Sequence, residues 1–403
     1  MKILYHHRIR GIDGQAVHVR ALIRALLDEG HEVREVALEP VFRDSAAGAS
    51  SPGTRPNGTG VRSARPWWGI DRLPRPLLEL AEDSYSLVAR RMLVRAAAAF
   101  RPDIIYERYA FGNVGGVLAG RRLGVPLVLE VNAPLVEELA ATRGLFLPGV
   151  ARRLEAMALR RADLVCVVSR VLGRIVVERG ARPDRVLAIQ NAVDAGRFRP
   201  ADPVRRAAAR RRLGLPEGGN GETLALGFAG FVREWHGLDL VLASLCRPEL
   251  AGTRLVVVGE GPHSQRLARR AAELGIAGRV TMLGTRPHEE VPEVLAALDV
   301  AVISGAPPYA SPLKLHEYLG AGLPVVAPNQ ENLREVLADR ENALLFEPGS
   351  AEALAAALAE LVGDPGLRLR LGARARESVL DEGRTWRGVA QRVAAEASTL
   401  VGA

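Results

Sequence analysis

The sequence predicts an α/β protein of two doubly wound domains, each a mostly parallel sheet with helices on both faces. Short apolar runs of strand length alternate with longer stretches of helical period along the chain. This alternation occurs in both halves, which share an architecture without a short internal repeat. A length of 403 residues suits two domains.

Taken in order, Lys2–His7 reads as a strand and Gln15–Glu29 as a helix, with Val19, Leu22, Ile23, Leu26 and Leu27 on one stripe and Gly30 as its stop. His31–Val36 is the next strand. The stretch from about Pro40 to Trp68, rich in Gly, Ser, Pro and Arg, has no period and reads as a loop. A long helix over Leu77–Phe100 leads to a strand at Asp103–Tyr106, a helix at Val114–Arg122 and a buried strand at Pro126–Val131. Leu135–Arg161 is helical with a break at Gly144–Gly149. Leu164–Ser169, a helix to Arg179 and a strand at Val186–Gln190 complete this half. An arginine-rich helix opens the second half, with strands at Leu224–Phe228, Leu255–Val258, Val280–Leu283, Val300–Ser304 and Pro324–Ala327. The chain closes with helices at Ala351–Val362, Gly366–Leu380 and Thr385–Thr399. The domain boundary is placed near residues 195–203. Ligands of such open sheets sit beyond the carboxyl ends of the strands, and two facing sheets would enclose a cleft.

Hydrophobic content of 48% and charged content of 25% are those of a globular protein. Cys166 and Cys246 make no disulfide framework and no metal spacing, which fits a reducing compartment. Met1–His7 reads as a strand and not a leader peptide, and no apolar run of about 18 residues appears. The expected location is cytoplasmic, with peripheral attachment at the inner membrane face left open. The net charge of +8 raises nucleic acid as a partner. Arginines such as Arg205, Arg206, Arg210, Arg211 and Arg212 are spread along helices without interleaved aromatics, however, so nucleic-acid binding is not expected.

The stretch Ser311–Val326 is the best candidate for chemistry. Ser311 suits an N-cap and Pro312 a first helical residue. Lys314 and Glu317, three apart, share a helix face. The open amides of a helix start can hold a phosphate, a lysine one turn in adds charge, and a glutamate beside it can accept from two adjacent hydroxyls of a ribose. Only Lys2 and Lys314 are lysines among 54 basic residues. A compact ammonium kept in an arginine-rich chain points to a shape requirement. The alternative is an amphipathic helix whose Lys and Glu pair in solvent.

Other glycine-bearing loops follow predicted strands. Gly11–Gly14 precedes the first helix. Gly227–Gly237 delivers Arg233 and His236 to the end of the second sheet. Val258–Pro262 carries Gly259 and Gly261, and Leu283–Arg286 ends in Arg286. Glycine lets backbone approach a phosphate or sugar closely, although each loop alone is also ordinary turn chemistry. There is no Asp-x-Asp, HExxH or paired-cysteine motif for a metal, and no G-x-S-x-G nucleophile. His6 and His7 lie on a strand that points their rings to opposite faces.

In order along the chain, these loops resemble glycosyltransferase family 4 with its two-domain GT-B fold. Further landmarks are Gln190–Asp194 followed by Phe198, the run Ser311–Tyr318, Asn342–Phe346 and Thr385–Trp386. The resemblance implies an acceptor-binding domain over 1–197, a nucleotide-sugar domain over 198–380, and a final helix over 381–403 that crosses back to the first. It implies that Glu317 binds the donor ribose, and that Lys314 lies near the diphosphate with the backbone of Ala310, Ser311, Pro312 and Leu313. Arg233 and His236 stand where the family has a basic pair. Gly14, Gly259 and Gly261 would approach the donor, Arg286 would frame the base, and Asn132 would stand where many members have a histidine near the donor sugar.

Three departures qualify this. Tyr309 occupies the position of the family's first glutamate, His236 replaces a lysine, and Asn132 can act as neither acid nor base. The expectation is a retaining, metal-independent transferase with no cofactor. It would use a nucleotide diphosphate sugar, UDP favoured, and a glycan, lipid-linked or small-molecule acceptor. A nucleotide-sugar epimerase of the same fold and a non-catalytic nucleotide-binding subunit are the alternatives.

Overall fold

A computed structural model of the chain describes residues 1–9, 14–42, 74–216 and 224–401. Most of the Gly11–Gly14 loop and of the polar stretch after Pro40 lies outside the described residues.

The chain forms two compact units. The first comprises Met1–Val168, Leu172–Ile189 and the residues from Ala390 onward; the second comprises Ser169–Val171 and Gln190–Val389. The changeover thus falls between Ile189 and Gln190, a few residues ahead of the stretch the sequence suggests.

In the first unit β1 (Lys2–His6), α1 (Gly14–Asp28) and β2 (Glu32–Val36) come first, then α2 (Arg75–Phe100), β3 (Ile104–Arg108), α3 (Gly115–Leu123) and β4 (Leu127–Val131). The expected break in the next helical stretch separates α4 (Leu135–Thr142) from α5 (Pro148–Arg161), with Pro148 opening the second helix. β5 (Leu164–Val167), α6 (Arg170–Glu178) and β6 (Val186–Ala188) follow. All pairings are parallel, in the order β2-β1-β3-β4-β5-β6. β3, β4 and β5 are buried along their whole length; β5 is wholly apolar, whereas β3 ends in Glu107 and Arg108 and β4 carries Glu130, buried polar side chains that pair with His6 or with one another.

The second unit opens with α7 (Pro203–Arg212), capped by Asp202, whose side chain accepts from the Arg205 N–H. Its arginines are held by acids: Arg205 by Glu293, Arg206 and Arg210 by Asp299, Arg212 by Glu290. Then come β7 (Leu224–Ala229), α8 (Leu238–Leu245), β8 (Thr253–Val258), α9 (Ser264–Glu273), β9 (Val280–Met282), α10 (Val291–Ala296), β10 (Val300–Val302), α11 (Leu313–Gly320), β11 (Val325–Pro328) and β12 (Ala343–Phe346). α12 (Ala351–Gly363), α13 (Pro365–Asp381) and α14 (Trp386–Ser398) close the chain, α14 starting in the second unit and ending in the first.

The second sheet is also parallel, ordered β12-β11-β10-β7-β8-β9. Alternate residues feed two cores. Leu226 and Phe228 of β7, with Val300 and Val302 of β10, point to one face; Ala225, Ala229 and Ala301 point to the other. α11 buries Leu315, Tyr318 and Leu319 on the second of these faces. Each sheet has one point where the strand order reverses, between β1 and β3 in the first unit and between β7 and β10 in the second. Ligand crevices of doubly wound sheets open at such points, beyond the strand carboxyl ends.

Candidate functional site

At the reversal point of the second sheet, the loops after β7 and β10 meet the start of α11. α11 begins at Leu313 with Pro312 as its cap residue, one position later than the sequence suggests, and no side chain caps it. Ser311 is drawn elsewhere. Its hydroxyl accepts from the Asn191 N–H at 3.1 Å and lies 3.0 Å from Nε2 of His316, while Nδ2 of Asn191 donates to its carbonyl oxygen. Burial, with Arg384 nearby, lowers the His316 pKa to about 3, so its imidazole is neutral. The Leu315 N–H bonds back to Pro312 O at 3.0 Å, leaving the Leu313 and Lys314 amides at the open end of the helix.

Lys314 is not a solvated surface residue. Its Nζ is shielded from solvent, has no hydrogen-bond partner, and stands 3.8 Å from the centre of the Phe228 ring. Burial lowers its pKa to about 7, against the opposing pull of Glu317. The cation–π contact offsets only part of the cost of an unpaired ammonium. Gly230 makes the space: with φ at +140°, a Cβ there would lie 3.1 Å from Nζ.

The loop after β7 packs against the loop after β8 through backbone. A Cβ on Gly259 would lie 2.2 Å from Gly230 O, and one on Gly261 would lie 2.1 Å from Val232 O. The loop after β9 joins them, since the Gly259 N–H donates to Gly284 O at 2.8 Å. Arg233 is exposed and its guanidinium stands 4.7 Å from both the Phe231 and Trp235 rings, themselves exposed. The Arg233 N–H donates to Nδ1 of His236 at 3.3 Å. Burial, then Lys314 and Arg233, push the His236 pKa down to about 3, so it contributes a neutral ring where lysine would contribute charge.

Glu317 is buried, with Oε1 2.7 Å from Nε2 of His288. Arg286 is exposed and lies 3.8 Å from Glu290. The structure therefore brings Gly259, Gly261, Arg233, His236, Ser311, Pro312, Leu313 and Lys314 to one set of strand ends, with Glu317 and its histidine one turn along α11. Tyr309 is held by its backbone, its carbonyl accepting from Ser169 Oγ at 2.7 Å. Asn332 secures the same loop by donating to Pro307 O and Ala310 O.

Gly14 and Asn132 belong to the first unit. Gly14 is the exposed first residue of α1. Asn132 follows β4, and its Nδ2 donates to Glu130 Oε1 at 2.5 Å. Glu130 is the hub of a buried polar cluster absent from the sequence-derived candidates: Tyr106 Oη donates to it at 2.9 Å, Tyr5 Oη at 3.3 Å, Arg108 pairs with it, and His18 Nε2 stands 3.1 Å away. Burial raises the Glu130 pKa, but attraction to His18 and Arg108 and the hydrogen bonds from His18 and Asn132 outweigh it and hold the carboxyl well below its usual range. Among the described residues no group of three or more His, Cys, Asp and Glu side chains could hold a metal ion, and no helix is long and apolar enough to cross a membrane.

Comparison with known proteins settles the family. A family model described as Glycosyltransferase Family 4 matches residues 12–197, and one described as Glycosyl transferases group 1 matches 217–378. A D-inositol 3-phosphate glycosyltransferase of Stackebrandtia nassauensis is 32% identical over 90% of this chain and 82% of its own length. The chain belongs to glycosyltransferase family 4. A second D-inositol 3-phosphate glycosyltransferase, from Thermobispora bispora, is 30% identical over 94% of the chain and 88% of its own length. Among solved structures, the sucrose-phosphate synthase of Thermosynechococcus elongatus superposes with a TM-score of 0.74 at 20% identity, covering 99% of both chains. Anabaena Alr3699/HepE in complex with UDP-glucose gives 0.69 at 19% identity, over 99% of this chain and all of its own. The glycosyltransferase thus has the GT-B fold, as its loops imply.

Proposed function

We propose that this glycosyltransferase moves a sugar, with retention and without a metal ion, from a nucleotide diphosphate sugar to an acceptor hydroxyl. One observation carries the reading: the ammonium of Lys314, buried and unpartnered beside the open start of α11, at the reversal point of a parallel sheet. A diphosphate supplies the missing partner. The free amides of Leu313 and Lys314 would take its oxygens, with the Arg233 guanidinium from the facing loop. Glu317 would take the ribose hydroxyls, and Arg286 would frame the base.

In the reaction so read, the bond from the anomeric carbon to the phosphate oxygen breaks as the acceptor oxygen attacks from the same side. The acceptor proton passes to the departing diphosphate. Charge grows on that diphosphate in the transition state, so fixed cations and amides there lower the barrier. Asn132 has one amide N–H committed to Glu130, which leaves its second N–H and its carbonyl oxygen to offer a hydroxyl. UDP is the favoured carrier, since a neighbour of the same fold was solved with UDP-glucose. The relatives' name makes an inositol phosphate the first acceptor to try.

The test is nucleotide release from a panel of nucleotide sugars in excess EDTA, with and without D-inositol 3-phosphate and other acceptors. Acceptor-dependent release that survives EDTA is the expected result. Epimerised donor without release would instead show an epimerase, and donor binding without turnover a non-catalytic subunit.

A further inference from the structure

The Glu317 carboxylate is held before any ligand arrives. His288, on the short turn His288–Glu290 after the β9 loop, reaches it across 29 residues of sequence, Nε2 to Oε1 at 2.7 Å. His288 is itself fixed from behind. Its ring lies 5.7 Å from that of Phe198, a core residue 2% exposed, and its carbonyl oxygen accepts from the Arg197 guanidinium at 3.2 Å. The imidazole therefore transmits the position of the Arg197–Phe198 segment to the carboxylate on α11.

A carboxylate offers about four acceptor sites, two on each oxygen. His288 occupies one on Oε1, and Oε2 makes no hydrogen bond among the described residues. One site on Oε1 and both on Oε2 remain, enough for two vicinal hydroxyls. A glutamate with free χ angles would have to lose that freedom on binding, whereas one already tied to a histidine has lost it.

We propose that His288 is a positioning residue for the donor, holding the Glu317 carboxylate in the orientation that takes the 2′ and 3′ hydroxyls of the ribose. The proposal rests on the reading of Glu317 as the ribose ligand, and its test separates the two. UDP and 2′-deoxy-UDP are titrated calorimetrically into the wild type, His288→Ala, His288→Gln and Glu317→Gln, with GDP and 2′-deoxy-GDP as a parallel series and melting curves to establish folding. Charged hydrogen bonds of this kind correspond to about tenfold in affinity each. The wild type is expected to prefer the ribonucleotide by about tenfold or more. His288→Ala should lose most of that preference by weakening the ribonucleotide while leaving the deoxynucleotide nearly unchanged. His288→Gln, whose amide can donate to the same oxygen, should recover much of it. A purely structural histidine would lower both affinities or the melting temperature together. Wild-type preference in folded His288→Ala, or tighter ribonucleotide binding there, overturns the proposal while a collapsed preference in Glu317→Gln keeps the ribose reading. Wild-type preference in Glu317→Gln overturns both.

Discussion

Lys314 shows what a single buried charge demands. With its Nζ against Phe228 and no hydrogen bond, it is costly until an anion reaches it. The cost has a sign in pH. Burial lowers the folded pKa to about 7 from the ordinary 10.5, so between those values the unfolded chain keeps a proton that the folded chain releases. Stability from this group therefore rises with pH: its penalty is full below about pH 7 and gone above about pH 10.5. Lys314→Met removes the group. By urea unfolding, the Met variant should be the more stable at pH 7, and its advantage should shrink towards pH 9.5. An advantage independent of pH would mean the ammonium is solvated. Glu317→Ala is expected to leave the fold intact and weaken donor binding by about 2–4 kcal/mol, the worth of two charge-assisted hydrogen bonds. Unchanged donor affinity by calorimetry would remove the ribose assignment.

At the scale of elements, the site is held by backbone approaching backbone. Gly259 and Gly261 pack on the loop after β7 at distances no side chain tolerates. Gly261→Ala is expected to cost about 1–3 kcal/mol or more in overpacking and to weaken nucleotide binding with it. Gly149→Ala serves as the control, since a Cβ there meets nothing within 4 Å and Gly149 lies in the first turn of α5. Equal stability of the two variants in urea would contradict the packing account. The same loops show what sequence can convey. Strands such as Leu164–Val167 and Val300–Val302 were legible because burial on both faces demands unbroken apolar runs. The start of α11 was off by one because Ser311 answers His316 and Asn191, a tertiary competition that local capping rules do not contain. Spacing placed Lys314 and Glu317 on one helix but was silent on their partners. Phe228 and His288 come from β7 and from the turn after β9, and only folding brings them in. Glu130 carries no local signal for the same reason, since its partners Tyr5, His18 and Arg108 are scattered over more than a hundred residues.

Across the whole molecule, two parallel sheets with different strand orders each offer a crevice at a reversal point, and the family resemblance was carried by the order of loops at those strand ends. The polar residues there divide by unit. The second unit presents an unpaired ammonium and open amides, the chemistry of an anion site; the first presents a saturated carboxylate cluster around Glu130, the chemistry of a rigid support. Turnover should therefore persist in EDTA, and loss restored by Mg²⁺ would show that a cation, and not Lys314 and the α11 amides, carries the diphosphate. The central claim is that this ammonium stabilises the departing diphosphate. It is tested most directly by kcat of Lys314→Arg in acceptor-dependent nucleotide release. A guanidinium is wider and its charge more diffuse, and the space between Phe228 and Gly230 is shaped to an ammonium. The account predicts a folded variant whose kcat falls at least about tenfold, equivalent to about 1.4 kcal/mol of transition-state stabilisation. Wild-type kcat in that folded variant would contradict it.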